Sequence, residues 1–422
     1  MPNRRLPVRP NLEQLRHQAK DLLRAAHEGD ESALADFAQF FPRPIDPAAA
    51  TLADAQHVLA RSYEAASWPR LVHACELTDA IWRDDVDTVR GLVRAHPDLL
   101  TEHALIRATS DWGPPMTYAA NLGRDRIIDA LLALGATDLE TAVDRATLQG
   151  RVETARRLHG RLGSPHPTAA SLGGPAYTLN VEGTALMLEL GAPVRDAQGR
   201  RVAPVDVVLE TDSRRPAAKH AILEMYAEHG LSLPETPAMA LHRGRIDLLE
   251  RHLERDRSLI RRTFTFEEIY PPELGCHDEV LATHGTPLGG STLLHMCVDY
   301  DELDIALWLF ARGMEVDEPA DVDADGFGGH TALFAAVVSQ PAFWMNHHGG
   351  PFEAPFGALL LERGADPNVR ASLRKQLHPG YGADVLREYR DVTPLSWGER
   401  FVHKQFVSEP AMRLIAAHGG RA

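Results

Sequence analysis

Three polar stretches in the C-terminal half of the chain hold the side chains best suited to chemistry. Between Arg261 and Gly290 stand Glu267, Glu268, Tyr270, Cys276, His277, Asp278 and His284. Asp321, Asp323, Asp325 and His330 follow, and His378, Tyr381 and Glu388 lie between Ala371 and Asp391. Imidazole and carboxylate groups are the ligands zinc and similar divalent ions take. A histidine beside a carboxylate can also move protons. In either use His277, Asp278, His284 and His378 are the candidates. Their spacing matches no established metal motif, so no metal is assigned. A hydrated polar loop lining a binding groove is the plainer account of the same residues.

A further stretch, Phe343-Trp-Met-Asn-His-His-Gly-Gly-Pro-Phe352, mixes large aromatics with two histidines and two glycines. Exposed together, Trp344, His347 and His348 would anchor a partner or a small ligand. Otherwise Phe343, Trp344 and Phe352 pin the segment onto its own scaffold. Asp321-Val-Asp-Ala-Asp-Gly326 places acids at alternate positions as a calcium loop does, but Ala332 stands where the closing glutamate belongs. It reads as a turn. No Ser-His-Asp order, phosphate-binding glycine loop or His-Glu-x-x-His signature is present. No catalytic residue and no cofactor is assigned.

Composition narrows the partners. The chain has 422 residues, 44% of them hydrophobic, and a net charge of -15 from 44 basic and 59 acidic residues. That balance disfavours a nucleic-acid or anionic-membrane binder, which needs a basic stripe. The only basic cluster, Arg4, Arg5 and Arg9, lies in a proline-containing N-terminal stretch, residues 1–10, read as a disordered tail. Three cysteines without framework spacing fit a reducing compartment. Neither a signal peptide nor a membrane span is visible. A cytoplasmic location is the default.

The elements that must position these residues are helices. From Asn11 to Glu76 four are expected. Leu12, Leu15, Ala19, Leu22, Leu23 and Ala26 form one apolar face that stops at Gly29, and Ser32–Phe41 follows. Thr51 caps a third, and Ser67-Trp68-Pro69 opens a fourth. From Leu77 onward, short helix pairs recur. The clearest is Ser291-Thr-Leu-Leu-His-Met-Cys-Val298 with Asp304-Ile-Ala-Leu-Trp-Leu-Phe-Ala-Arg-Gly313. Pro114–Gly123 with Ile127–Ala136, Thr331–Val337 with Phe356–Asn368, and Thr393-Pro-Leu395 with Met412–Gly419 repeat the pattern. Threonine caps the first helix, proline fits its first turn, and glycine ends the second. About nine pairs are expected.

These motifs resemble the ankyrin repeat, with its Thr-Pro-Leu-His start and Gly-Ala finish. The chain looks like a bacterial ankyrin repeat protein. Its N-terminal block, carried by Leu12–Arg24, Leu52–Arg61 and Ser67–Leu71, resembles an extension found before such arrays. The resemblance implies an all-α solenoid over residues 77–422, capped by helices 11–76. It implies protein recognition by the concave face and finger loops, and no catalytic residue. Phe334 and Ser396 stand where the repeat histidine belongs; His295 occupies that place and reads as structural. Cys297 replaces a packed alanine and reads as inert.

Spacing is uneven. Gly135 and Gly191 are 56 residues apart, or twice 28, but Gly313 and Gly364 are 51 apart and Gly364 and Gly419 55, each for a single pair. Insertions at 261–290, 341–355 and 371–391 account for the longer intervals, and long loops in a compact array carry function. The leading reading is a protein-binding module using its concave face and C-terminal finger loops. Its candidate residues are Glu267, Tyr270, His277, Asp278, His284, His330, Trp344, His347, His348, His378 and Tyr381. The alternative is an enzyme or a small-molecule or metal-binding protein, with a pocket between insertions 261–290 and 371–391. The reading leans away from an enzyme; a metal-assisted hydrolase or lyase is the form one would take.

Overall fold

A computed structural model describes residues 4–43, 45–107, 109–163, 167–211, 213–339, 353–378 and 385–422. The chain divides into two compact units, Met1–Pro165 and His166–Ala422. Both are mostly helical. No helix among the described residues is long and apolar enough to cross a membrane.

The first unit begins with the expected helices, Leu12–Glu28, Glu31–Phe40, Leu52–Ser62 and Trp68–Trp82. Their ends follow from side-chain chemistry. Asn11 and Asp30 accept from backbone N–H groups of the first turns they cap, and Thr51 and Asp54 form a reciprocal capping box. Gly29 leaves the first helix in the left-handed conformation. Leu15, Ala19, Leu22, Phe37, Val58, Leu59 and Leu71 bury one shared core. Two details depart from the sequence reading. Helix Trp68–Trp82 runs unbroken through the boundary drawn at Glu76, so it ends the bundle and opens the first pair. Residues 4–10, read as a disordered tail, lie against the unit. Arg4 pairs with Asp36 at 2.7 Å, Arg9 pairs with Asp79 at 2.7 Å, and the Tyr118 hydroxyl donates to Val8 O at 2.6 Å.

Helix pairs complete this unit. Trp68–Trp82 packs on Val86–Ala95, Pro115–Asn121 on Asp125–Ala133, and Leu139–Leu148 on Val152–Leu162. The first helices of successive pairs also pack on one another, forming one layer. Within the second unit the pairs are Gly173–Tyr177 with Val181–Glu189, Val205–Glu210 with Pro216–Glu228, and Pro237–His242 with Ile246–Arg255. Leu293–Tyr300 with Leu303–Ala311, Ala332–Val337 with Pro355–Glu362, and Pro394–Arg400 with Glu409–Ala417 follow. Gly313 shows why glycine ends the second helix. At φ 90° it lets Met314 N–H return to Leu309 O at 3.1 Å.

The all-α expectation needs one addition. Strand β1 (Thr263–Phe264) pairs antiparallel with β2 (Ser291–Thr292), and β3 (Ala371–Lys375) with β4 (Arg387–Val392). Strand β1 lies in the insertion 261–290 and pairs with the start of the repeat that follows it, while β3 and nearly all of β4 lie in the insertion 371–391.

Candidate functional site

The insertion at 261–290 is a folded strap in the second unit. Thr265 and Glu268 form a capping box that opens a one-turn helix, Phe266–Ile269. His242 in the first helix of its pair donates through Nε2 to Ile269 O at 2.9 Å. Further along, Gly275 (φ 87°) sits so close to Arg201 that a Cβ would fall 2.6 Å from Nη2. His277 then grips Glu210 twice, its backbone N–H donating at 2.5 Å and its imidazole Nδ1 at 2.7 Å. That carboxylate raises the His277 pKa and favours imidazolium. Thr286 closes the run. Its N–H donates to Val338 O at 2.9 Å, its hydroxyl lies 2.8 Å from the same carbonyl, and Trp397 Nε1 donates to that hydroxyl at 3.1 Å. The strap therefore crosses the first-helix layer from Glu210 to Trp397.

A second feature is a continuous extended rim. Asp321 N–H donates to Gly290 O at 2.8 Å, and Thr263 Oγ1 donates to Asp321 Oδ2 at 2.6 Å. The turn at 321–330 is held by Asp323, whose carboxylate accepts from Asp325 and Phe327 N–H, both at 2.9 Å. Gly328 N–H then donates to Ser372 O at 2.7 Å, and Arg374 pairs with Asp323 at 2.6 Å and Asp325 at 3.0 Å. The acids that resemble a calcium loop are engaged, Asp321 by Thr263 and Asp323 and Asp325 by Arg374, with Asp323 also holding the turn. Strap, finger and the β3–β4 hairpin are thus linked edge to edge. Of the eight large apolar side chains exposed among the described residues, four (Leu281, Val322, Val385, Leu386) lie on these segments.

Beneath the strap lies a buried polar cluster that sequence reasoning missed. Arg214 donates through Nε to Asp299 O at 2.5 Å and through Nη2 to Asp299 Oδ2 at 3.0 Å. Lys219 Nζ lies 2.8 Å from Glu302 Oε1, an ion pair without hydrogen-bond alignment, and His220 Nε2 meets the same oxygen at 2.8 Å. Burial pushes the Glu302 carboxyl upward, but Lys219 and His220 outweigh it and hold the pKa below its usual value. Tyr300 lies among these charges, with Lys219 Nζ 4.3 Å and the Arg214 guanidinium 5.1 Å from its ring centroid. His242 meets it edge-on at 4.7 Å, and Tyr270 of the strap lies 6.2 Å away. Burial raises the pKa of both phenols, and each lies near the Asp299 charge. Their hydroxyls approach each other without aligning into a hydrogen bond. Asp301, between Tyr300 and Glu302, takes the left-handed turn (φ 63°) usually given to glycine.

The sequence candidates scatter across this architecture. Tyr270 enters the buried cluster. His277 pairs with Glu210, and Asp278 caps helix Glu279–Ala282. His284 is buried and stacks on Phe406 with centroids 5.3 Å apart. His330 is buried, its Nε2 donating to Pro287 O at 3.0 Å while its carbonyl accepts from His295 Nε2 at 3.0 Å. Glu267 and His378 are exposed. Trp344, His347, His348 and Tyr381 lie outside the described residues, as do Phe343 and Phe352. Among the described residues, no three His, Cys, Asp or Glu side chains come together in a way that could hold a metal ion. A cleft of about 260 Å³, lined by Thr236, His252, Arg255, Leu259, Arg262 and Glu268 among others, opens near β1.

No family model matches the sequence, and no curated protein matches it. Among solved structures the chain is similar to the human ASB11 ankyrin repeat domain, at 14% identity and a TM-score of 0.26. That match covers 73% of this chain and 99% of the other. A superposition so loose adds nothing to the helix pairs themselves.

Proposed function

We propose that this chain is a recognition protein. Its scaffold is an ankyrin-type solenoid of about nine helix pairs behind an N-terminal helical cap, and its second unit presents a preformed edge to a protein partner. The continuity of the rim carries this reading. Backbone and side-chain bonds join strap, finger and hairpin before any partner arrives, which lowers the ordering cost of binding. Apolar Leu281, Val322, Val385 and Leu386 stand among charged neighbours on that edge, the mixture of anchors and polar rim that protein interfaces use. The acidic balance of the chain favours a partner with basic or mixed surface. Three cysteines without a disulfide, Cys75 and Cys297 buried, suit a reducing cytoplasm.

The test is affinity capture from source-cell lysate. The full chain is compared with Val322→Asp/Leu386→Asp on the rim and with Leu52→Asp, an exposed leucine of the first unit. A defined protein held by the wild type and Leu52→Asp, and lost by the rim variant, supports recognition by this edge. The same proteins on all three baits contradict it.

A further inference from the structure

Residues 4–10 lie on the first unit as a docked peptide does. Burial alternates along them. Arg4, Leu6 and Val8 are half-buried and Pro10 is buried, while Arg5, Pro7 and Arg9 are exposed. A period of two marks extended chain laid along a surface. Pro7 and Pro10, at P-x-x-P spacing, favour the polyproline II form. The contacts differ in kind from one residue to the next. Arg4 donates through its backbone N–H to Ser62 O at 2.9 Å and through Nη2 to Asp36 Oδ2 at 2.7 Å. Asp36 is 4% exposed and has no other partner among the described residues, so its carboxylate calls for a cation. Leu6 packs on the helical core. Trp82 Nε1 donates to the Tyr118 hydroxyl at 2.6 Å, which leaves that hydroxyl's own proton for Val8 O, also at 2.6 Å. Arg9 pairs with Asp79 and lies over Trp82, 5.5 Å from the ring centroid. Aromatic-lined grooves take proline-containing segments in this way, and the two acids add a demand for arginine.

We propose that Asp36, Asp79, Trp82 and Tyr118 form a second recognition site, which takes an extended arginine- and proline-bearing segment of another protein, and that residues 4–10 are its built-in competitor. Little holds these residues down. Among the described residues, Arg4 N–H and Val8 O are the only backbone groups of the segment that are hydrogen-bonded. Asp79 keeps Arg83 at 3.1 Å when Arg9 departs. Asn11 caps the first helix through its own side chain, so that helix survives release of the residues before it. A competitor in the same chain acts at roughly millimolar effective concentration. The groove therefore yields to a segment that binds more tightly or is delivered by a partner held elsewhere. A net charge of -15 favours a basic occupant. The site is independent of the rim, which belongs to the second unit.

The probe is a fluorescein-labelled peptide with the sequence of residues 4–10, titrated with the full chain and read by polarisation. Arg4→Ala/Arg9→Ala, which frees the groove, should bind it roughly tenfold or more tightly than the wild type does. Adding Tyr118→Phe to that chain should weaken binding about fivefold, the loss of one hydrogen bond. A peptide carrying Pro7→Ala and Arg9→Ala should not bind the freed chain. If circular dichroism shows the double variant unfolded, Arg9→Ala alone takes its place, since it leaves Asp36 with Arg4 and Asp79 with Arg83. Equal affinity of the wild type and the freed chain, or no saturable binding by a folded freed chain, would overturn the proposal. So would a wild-type dimer in light scattering that Arg4→Ala/Arg9→Ala dissolves, because the occupant would then be a second copy.

Discussion

Arg214 and Asp299 stand 85 residues apart in sequence and meet twice in the core, with Nε on the backbone carbonyl at 2.5 Å and Nη2 on Oδ2 at 3.0 Å. The pair joins the segment before helix Pro216–Glu228 to the helix Leu293–Tyr300. Because the Asp299 side chain is 1% exposed, its removal leaves a guanidinium buried without its counter-charge. Asp299→Ala is expected to destabilise the protein by about 3–5 kcal/mol. Arg374→Ala, which breaks a rim pair at 37% exposure, should cost no more than about 1 kcal/mol. Urea unfolding of both variants checks the contrast.

Asp301 offers the opposite sign. Its backbone lies in the left-handed region, at an exposed turn between Tyr300 and Glu302. Replacing it with glycine relieves that backbone strain. Asp301→Gly is expected to stabilise the fold by roughly 1 kcal/mol, in line with the cost of that conformation for a residue with a Cβ. Strain of this kind beside a cluster of unpaired polar groups marks a position not shaped for stability. Thermal unfolding of the variant is the check, and a lower melting temperature contradicts the assignment.

Buried histidines shape the acid response of the second unit, where burial holds His242, His295 and His330 all below the usual imidazole pKa. Burial pushes His295 down to about 4, while burial and its neighbour His295 push His330 down to about 3. Each donates through Nε2 to a carbonyl, and His295 Nδ1 accepts from the Thr292 hydroxyl at 2.9 Å. Both are therefore neutral in the fold. The unfolded chain takes up these protons near the usual imidazole value of 6.5, whereas the folded chain refuses them until about 4 and 3. The unfolded state binds more protons across that window, so stability falls as pH drops below about 6.5 and levels off near 3. Urea midpoints at pH 7.5, 6, 5 and 4 should decline in order. His330→Gln should flatten the decline even if it lowers the midpoint at pH 7.5.

Gly328 holds the rim together. Its φ is 124°, and a Cβ would fall 1.8 Å from Asp321 O, a backbone atom that cannot swing aside. Gly328→Ala is expected to break the bridge to Ser372 and raise hydrogen exchange in 321–330 and 371–375. The strap's anchors at Glu210 and Trp397 should keep their protection. Equal loss of protection in the strap would contradict the separation drawn between rim and strap.

Local chemistry made much of the scaffold legible in sequence. Asn11, Thr51 and Ser67 announce helix starts, and Gly29, Gly135 and Gly313 announce ends, because caps are set by neighbours a few residues away. The site is different. Tyr270 is a candidate from sequence, but its companions there were His277 and His284, which turn instead to Glu210 and Phe406. Its actual neighbours, Asp299 and Tyr300, lie inside the clearest repeat helix, where the pattern explains every position and hides the polar ones. Lys219 and Glu302, 83 positions apart, carry no signal of their pairing. Sequence spacing cannot show convergence of this kind. The contacts of Arg4 and Arg9 are hidden for the same reason, since Asp36 and Asp79 are remote from them until the chain folds.

Recognition by the rim is tested most directly with a photo-reactive amino acid placed in the full chain at position 322, on the finger, or at position 52, in the first unit. Irradiation in source cells, followed by mass spectrometry of the adducts, reads what each position touches. The account predicts a crosslink from position 322 to one defined protein, absent from position 52 and suppressed by Leu386→Asp. Adducts of the same proteins in the same proportions from both positions would contradict it.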